Sequence, residues 1–109
     1  MRALIIEDQF IVATMIEAQL RDLGYDAFEI VDSEDAAIAA AIKECPDLIT
    51  ADDRLKRGSG IEAVRRICAD RPIPVVFVVG SPLDVKAAIP DAVTVGKAVT
   101  TADFGRAGE

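Results

Sequence analysis

The sequence predicts a doubly wound α/β domain built on a five-stranded parallel sheet, and three observations support this class. Short apolar runs of strand length alternate with segments whose apolar residues recur at helical spacing. Each connection between successive runs is too long for a hairpin, so the strands are expected to run parallel. The aromatic content is one Tyr, four Phe and no Trp. A core of Ile, Val, Leu and Ala is typical of a sheet covered by helices.

The composition limits the possible functions. The chain has 109 residues, a length that suits one domain, and we expect residues 1–109 to form a single unit. A formal net charge of −7, without any Lys/Arg-rich run, argues against direct binding to nucleic acid or to an anionic membrane. The acid at Glu7 leaves no room for a signal peptide, and no apolar run approaches the length of a membrane span.

The cysteine and histidine content bears on location and chemistry. Cys45 and Cys68 are isolated and lack the spacing of metal ligands, so we expect reduced thiols in a cytoplasmic protein. The chain contains no His. This excludes nucleophiles activated by a histidine of the same chain.

The first half of the chain is predicted to alternate strand and helix twice. Residues 2–7 form a strand, and a helix starts at about Gln9 and ends at Gly24. A more exposed strand follows, and Ser33 then offers the N-cap of an Ala-rich helix that reaches about residue 44. Acids in the first turn of that helix suit its dipole. The first helix is predicted to bury the stripe Val12, Met15, Ile16, Leu20 and Leu23, the second strand spans Tyr25 to Val31, and the first-turn acids are Glu34 and Asp35.

The second half repeats the alternation. The apolar run after Pro46 predicts a buried third strand that ends in Asp52 and Asp53. Ser59 and Glu62 form a capping-box pattern for the third helix. The remaining predicted elements are a fourth strand over 75–79, a helix capped by Ser81, a short fifth strand over 92–95 and a last helix that begins at Thr100 and is short.

Acidic residues end the first and third predicted strands. Glu7 and Asp8 close the first, Asp52 and Asp53 close the third, and Lys97 follows the fifth. In doubly wound sheets ligands bind at the carboxyl ends of the strands. Carboxylates suit Mg²⁺, and an Asp beside the cation can act as a nucleophile toward a phosphoryl donor. The alternative is that these acids only cap the segments that follow them and that Lys97 is a solvated strand-end residue.

These motifs resemble the receiver domain of bacterial response regulators over nearly the whole chain. The similarity lies in the acidic pair Glu7-Asp8, in Asp52 within the segment DLITADDRL, and in Lys97. The resemblance implies a flavodoxin-like (βα)5 fold with strand order 2-1-3-4-5 and a short or truncated last helix. It also implies a domain that takes a phosphoryl group from a sensor histidine kinase or a phosphotransfer protein and docks onto a downstream protein. No catalysis is expected beyond its own phosphorylation and dephosphorylation.

The resemblance implies roles for individual residues. Asp52 is the phosphoacceptor, and Lys97 contacts the phosphoryl group. Mg²⁺ is bound by Asp8, by Asp52, by the backbone carbonyl of Arg54 and, through water, by Glu7. Asp53 is the competing nucleophile. The family pattern places the acceptor at Asp52, and period-two alternation sends Asp53 to the opposite, outward face of the strand.

Three departures from the family pattern concern the readout of phosphorylation. Receivers usually carry Thr or Ser at the end of the fourth strand, where this chain has Val79, followed by Gly80 and Ser81. Where receivers usually have an aromatic residue in the fifth strand, this chain has Thr94, and where they usually have a Lys-Pro pair, it has Lys97-Ala98. The spacing of Pro74, Phe77 and Gly80 is similar to that of single-domain receivers of alphaproteobacteria. Ser81 is interpreted as an N-cap that lies next to the phosphate site.

Other functions stay open. Val79 favours a receiver-like module that binds its partner without phosphate. A third hypothesis is an enzyme, either a Mg²⁺-dependent phosphohydrolase or a toprim-like enzyme, that uses Glu7, Asp52 and Asp53. It fits less well because the toprim pattern separates its two acids by one residue. The short apolar content of 100–109 predicts either a truncated domain or an exposed face covered by a partner such as a second copy.

Overall fold

The computed structural model of the chain describes residues 1–53, 55–78 and 93–95. Within these residues the strands form one parallel sheet in the order β2-β1-β3-β4-β5. The predicted fold class and strand order are confirmed. The predicted helices at Ser81 and Thr100 lie outside the described residues. The described elements are β1 (Arg2–Ile6), α1 (Phe10–Asp22), β2 (Ala27–Val31), α2 (Glu34–Lys43), β3 (Leu48–Ala51), α3 (Gly60–Ile67), β4 (Val75–Val78) and β5 (Val93–Val95).

The central strand β1 is buried on both faces. Successive side chains of a strand point to opposite faces. Accordingly Ala3 and Ile5 belong to the apolar cluster that includes α1, while Leu4 and Ile6 belong to the cluster that includes α2 and α3. All four are at most 2% exposed. The edge strand β2 is only partly buried, as predicted, because it has a neighbouring strand on one side alone.

Helix α1 buries most of the predicted stripe, since Ile16 and Leu20 are buried and Val12 and Leu23 pack against the same cluster, but Met15 does not belong to it. Its buried residues are Ala13, Ile16 and Leu20, whereas Met15 is 41% exposed. The prediction for Met15 was wrong because it lies about a third of a turn around the helix axis from this stripe. The small side chain of Ala13 faces the sheet in its place and lets α1 approach closely. None of the described helices combines the length and the apolar character needed to cross a membrane.

The predicted N-caps of α2 and α3 are both formed. The Ser33 hydroxyl accepts a hydrogen bond from the Ala36 backbone N–H at 3.2 Å, and the Ser59 hydroxyl accepts one from the Glu62 N–H at 3.4 Å. Each cap satisfies a backbone donor that the helix itself leaves free. The serine signals in the sequence therefore located both helix starts.

The reciprocal half of the predicted capping box is absent between Ser59 and Glu62. The Ser59 backbone N–H donates instead to Glu34 Oε1, on the neighbouring helix α2, at 3.0 Å. The Glu62 carboxylate accepts a bond from the Arg65 guanidinium at 2.8 Å. The capping prediction was wrong in this half because a residue 25 positions earlier in the chain reaches the same donor first.

The amino end of the sheet is held by Arg2. Its guanidinium pairs with Glu29 of β2 at 3.2 Å and with Glu44, just after α2, at 3.3 Å. Its backbone N–H donates to a carboxylate oxygen of Asp47 at 2.7 Å. One residue thus links the starts of β1 and β3 to β2 and to the end of α2.

Helix α3 begins in direct contact with the backbone of the strand end before it. A Cβ atom built on Gly60 would overlap the backbone carbonyl oxygen of Asp52. The Gly60 N–H donates to the backbone carbonyl of Asp53 at 3.3 Å. Only glycine permits this approach, which fixes where α3 starts relative to β3.

Replacement of Gly60 by Ala is expected to lower the free energy of unfolding by about 3 kcal/mol or more, since α3 must move away from the Asp52 carbonyl. Gly24→Ala is the control. Gly24 has φ +101° and open space around it, so only its backbone conformation resists a side chain, at a cost of about 1–2 kcal/mol. Urea denaturation measures both variants. Equal losses would contradict a steric role for Gly60.

Thr50, in the middle of β3, is fully buried, and its hydroxyl has no hydrogen-bond partner within the described part of the chain. A buried unsatisfied hydroxyl is destabilising, so Thr50→Val, which keeps the shape, is expected to raise the free energy of unfolding by about 1 kcal/mol. Thr14→Val is the matched control, because that exposed hydroxyl donates to the Ile11 carbonyl at 2.9 Å. Urea denaturation of both variants tests this, and a loss of stability in Thr50→Val would contradict it.

Tyr25 is the only tyrosine of a chain without Trp, so phenolate absorbance reports this residue alone. Burial, followed by the negative charge of Asp47, raises its pKa above 10.0. The neutral phenol is favoured by the fold, so this contribution to stability is complete below pH 10 and is lost as pH rises through the higher pKa of the folded protein. An absorbance titration is expected to show a higher pKa for Tyr25 in the folded protein than in the protein unfolded by concentrated urea. Coincident curves would contradict the burial of Tyr25.

Candidate functional site

The carboxyl ends of β1 and β3 lie side by side. The last residues paired between the two strands are Ile6 and Ala51, and the Asp52 N–H donates to the Ile6 carbonyl at 2.9 Å. The Glu7 N–H donates to Val31 of β2 at 2.9 Å. The residues that follow the adjacent strands β1 and β3 therefore leave the sheet side by side. This edge, where strand order changes direction around β1, is where doubly wound folds bind ligands.

Three carboxylates meet at this edge. Glu7, Asp8 and Asp52 each offer an oxygen, and the three oxygens lie within 4.8 Å of one another. We name these residues the acid cluster. Glu7 and Asp52 are 2% and 6% exposed, and Asp8 is half-buried. The structure thus brings together the three acids that the sequence analysis assigned to one site.

Backbone N–H groups hold two of these carboxylates. Glu7 Oε2 accepts a hydrogen bond from the Gln9 N–H at 3.2 Å, which turns the side chain toward the start of α1. Asp8 Oδ2 accepts one from the Lys56 N–H at 2.9 Å. Lys56 belongs to the segment 55–59, which we name the β3–α3 loop. Asp8 therefore connects the end of β1 to the loop that follows β3.

The charge of the acid cluster favours a cation. Two unit charges 4 Å apart repel by about 4 kcal/mol at an effective dielectric constant of about 20. Three carboxylates in this space, two of them buried, gain stability from a positive charge between them. All the donors are oxygens, and the half-buried Asp8 leaves one side accessible, which fits a hard ion such as Mg²⁺ that keeps several waters.

A hollow beside the acid cluster gives access to it. Its volume is about 290 Å³, and it is lined by Glu7, Asp8, Phe10, Ile30, Val31 and Asp32. Phe10 is 76% exposed, and its neighbour Ile11 is 74% exposed. An apolar surface at the start of α1 therefore borders the acids.

The alternation argument predicted that Asp53 faces solvent, and this prediction was wrong. It is 9% exposed, and its backbone carbonyl accepts hydrogen bonds from the Gly60 N–H at 3.3 Å and the Ser59 hydroxyl at 3.4 Å. The start of α3 covers this position, so the face opposite Asp52 is also an interior face. Among the described residues, the acid cluster does not include Asp53.

Five residues of the predicted site lie outside the described residues, and their roles stay predictions. They are Arg54, Val79, Gly80, Ser81 and Lys97.

Two residues near the site were overlooked in the sequence. Gly60 received no role from the sequence, although a glycine immediately after an N-cap serine, where a better helix former is usual, signals a close contact. Glu34 was assigned only to the dipole of α2, and no local pattern reveals its bond to Ser59 across the structure.

Comparison with known proteins agrees with this geometry. The family model described as the response regulator receiver domain matches residues 3–96. The receiver domain of the response regulator PhyR from Erythrobacter litoralis is 29% identical, with a TM-score of 0.85 over 97% of this chain and 84% of that one. A mutant of the anti-anti-sigma factor PhyR from Bartonella quintana is 28% identical, with a TM-score of 0.80 over 98% of this chain and 45% of that one.

Curated relatives are longer than this chain. A protein-glutamate methylesterase/protein-glutamine glutaminase from Haloarcula marismortui is 33% identical over 76 residues, which are 70% of this chain and 21% of that protein. The chain therefore spans about a fifth of the length of that relative. On the match over residues 3–96, together with the confirmed strand order, the chain belongs to the response regulator receiver domain family.

Proposed function

We propose that this chain is a phosphoacceptor domain of a two-component phosphorelay, which takes a phosphoryl group onto Asp52 and signals by docking onto another protein. The observation that carries the proposal is the acid cluster, three carboxylate oxygens within 4.8 Å at the carboxyl ends of β1 and β3. The donor is a sensor histidine kinase or a phosphotransfer protein. The proposed domain comprises residues 1–109, and the ion that it requires is Mg²⁺.

Asp52 is the proposed nucleophile. One of its carboxylate oxygens attacks phosphorus, the P–N bond of a phosphohistidine breaks, and the electron pair stays with the leaving imidazole. The Asp52 N–H, bonded to the Ile6 carbonyl, and the contact with Gly60 fix the backbone that carries this side chain. The chain thus holds the attacking carboxylate in place before a donor arrives.

The other site residues have supporting roles in the proposal. Glu7, Asp8 and the carbonyl of Arg54 would hold the cation together with Asp52, with Glu7 acting through water. A bound Mg²⁺ would neutralise the negative charge that develops on the transferred oxygens. The proposal assigns to Lys97 a second positive charge at the site, and assigns Val79, Gly80 and Ser81 to the surroundings of the phosphoryl group.

The donor is proposed to dock beside the start of α1. Phe10 and Ile11 are about three-quarters exposed, and Met15, one turn further on, is 41% exposed. Exposed apolar side chains that border a reactive site suit a protein partner.

The free thiols Cys45 and Cys68 favour a cytoplasmic location, since disulfides are rare in that compartment.

A second candidate function is a receiver that binds its target without phosphate. Val79 supports it, because the hydroxyl that usually contacts the phosphoryl group is missing from that position of the sequence. The likeness to PhyR, named an anti-anti-sigma factor in Bartonella quintana, supports an output through protein binding in either case.

Incubation with acetyl phosphate and Mg²⁺, followed by intact-mass measurement, separates these functions. The unchanged protein and Asp53→Asn are expected to gain about 80 Da, the mass of one phosphoryl group, while Asp52→Asn gains nothing. Omission of Mg²⁺ or addition of EDTA is expected to abolish the gain. Thermal melting of both variants controls for folding, because both carboxylates are buried.

Two outcomes would change the proposal. An adduct on Asp52→Asn that is lost in Asp53→Asn would transfer the nucleophile to Asp53. A folded, unchanged protein that gains no mass would support the phosphate-independent module.

A further inference from the structure

The β3–α3 loop is held from two sides. On one side, Asp8 of the acid cluster accepts the Lys56 N–H at 2.9 Å. On the other side, the first residue of α2, Glu34, bonds to the loop through both its backbone and its side chain. The exposed loop residues Lys56, Arg57 and Gly58 thus lie between two anchors that belong to different parts of the fold.

Glu34 makes three separate contacts with this loop. Its backbone N–H donates to the Arg57 carbonyl at 3.1 Å. Its Oε1 accepts the Ser59 N–H at 3.0 Å. Gly58 has φ +89°, and a Cβ built on it would lie 2.5 Å from Glu34 Cβ, so the side chain of Glu34 packs directly over this glycine. The bond from the Glu34 N–H to the Arg57 carbonyl is part of an isolated parallel bridge between Ser33 and Arg57.

These contacts exceed what is needed to cap α2. The Ser33 hydroxyl already caps that helix through the Ala36 N–H at 3.2 Å. The Glu34 carboxylate reaches the first N–H of the α3 cap instead, the donor that Glu62 was predicted to take. Asp35, the adjacent acid in the same first turn, is exposed and makes no hydrogen bond or ion pair among the described residues. Charge near the α2 terminus therefore does not explain the position of Glu34.

We propose that Glu34 is a positioning residue for the cation site: by fixing the β3–α3 loop, it holds the Lys56 N–H against Asp8. Without this anchor the loop moves, and Asp8 loses the donor that orients it. Repulsion from Glu7 and Asp52 then turns the Asp8 carboxylate away from the cluster. Residues that orient metal ligands through hydrogen bonds strongly affect metal affinity. The inference rests on the proposed function, because it takes the acid cluster to be a Mg²⁺ site.

Two substitutions separate reach from charge. Glu34→Gln removes the charge but keeps an oxygen at the same distance from the backbone. Glu34→Asp keeps the charge but shortens the side chain by one methylene, so that it no longer reaches the Ser59 N–H. Mg²⁺ affinity, measured by isothermal titration calorimetry on the full chain, is expected to fall about tenfold in Glu34→Asp. It is expected to stay close to the original value in Glu34→Gln and in the control Asp35→Asn.

Amide hydrogen exchange measured in EDTA gives a readout that does not involve the metal. The Lys56 and Ser59 amides are expected to exchange faster in Glu34→Asp than in Glu34→Gln, while the amides of β1 remain protected in both. Selective loss of protection at these two amides shows loosening of the loop, whereas a general loss shows only destabilisation of the fold.

The outcomes distinguish this inference from the proposed function. If the unchanged protein binds no Mg²⁺, the proposed function fails, and the role of Glu34 at a cation site fails with it. If the unchanged protein binds Mg²⁺ and Glu34→Asp binds it equally well, only the role of Glu34 is overturned. A larger loss in Glu34→Gln than in Glu34→Asp would show that charge matters rather than reach, and would also overturn it.

Discussion

The parallel pairing of β1 with β3 is the contact on which the site depends. Both strands are buried on two faces, so neither can carry a charge within its length without a large desolvation cost. Their charged residues are therefore confined to the strand ends. The register that pairs Ile6 with Ala51 brings those ends to the same level. The acids that follow the two strands therefore lie side by side at one edge of the sheet. The position of the acids in the site therefore follows from the burial of the two strands.

Once the acids are brought together, backbone donors keep them there. Gln9 and Lys56 each provide an N–H to one carboxylate, and both belong to segments outside the sheet. Such bonds orient an anion without adding a positive side chain, so the cluster stays negative and suited to a cation. The arrangement also makes the cluster sensitive to the β3–α3 loop, because one of the two donors is part of that loop.

The sequence was informative wherever a local physical rule determined the structure. Strand ends, the caps at Ser33 and Ser59, and the grouping of Glu7, Asp8 and Asp52 followed from periodicity, capping chemistry and the geometry of parallel sheets. These features depend on residues close together in the chain, or on a topology with few alternatives.

The errors occurred where contacts between different elements of the fold decided the outcome. Met15 was assigned to the buried stripe, but the approach of α1 to the sheet selected Ala13. Asp53 was expected to face solvent, and the start of α3 covers it instead. The Ser59 N–H went to a helix that begins 25 residues earlier. None of these contacts follows the residue spacing of a single helix or strand, so local periodicity does not reveal them.

The apolar residues at the start of α1 have a consequence for selectivity. A phosphoryl group is an anion, and the acid cluster repels it until a cation is bound. A small phosphate compound offers little besides this unfavourable charge. A protein donor can in addition bury Phe10 and Ile11, and the free energy of that remote contact can bring the reacting atoms together against the repulsion. Under the proposed function, discrimination among donors arises on a surface that takes no part in the chemistry.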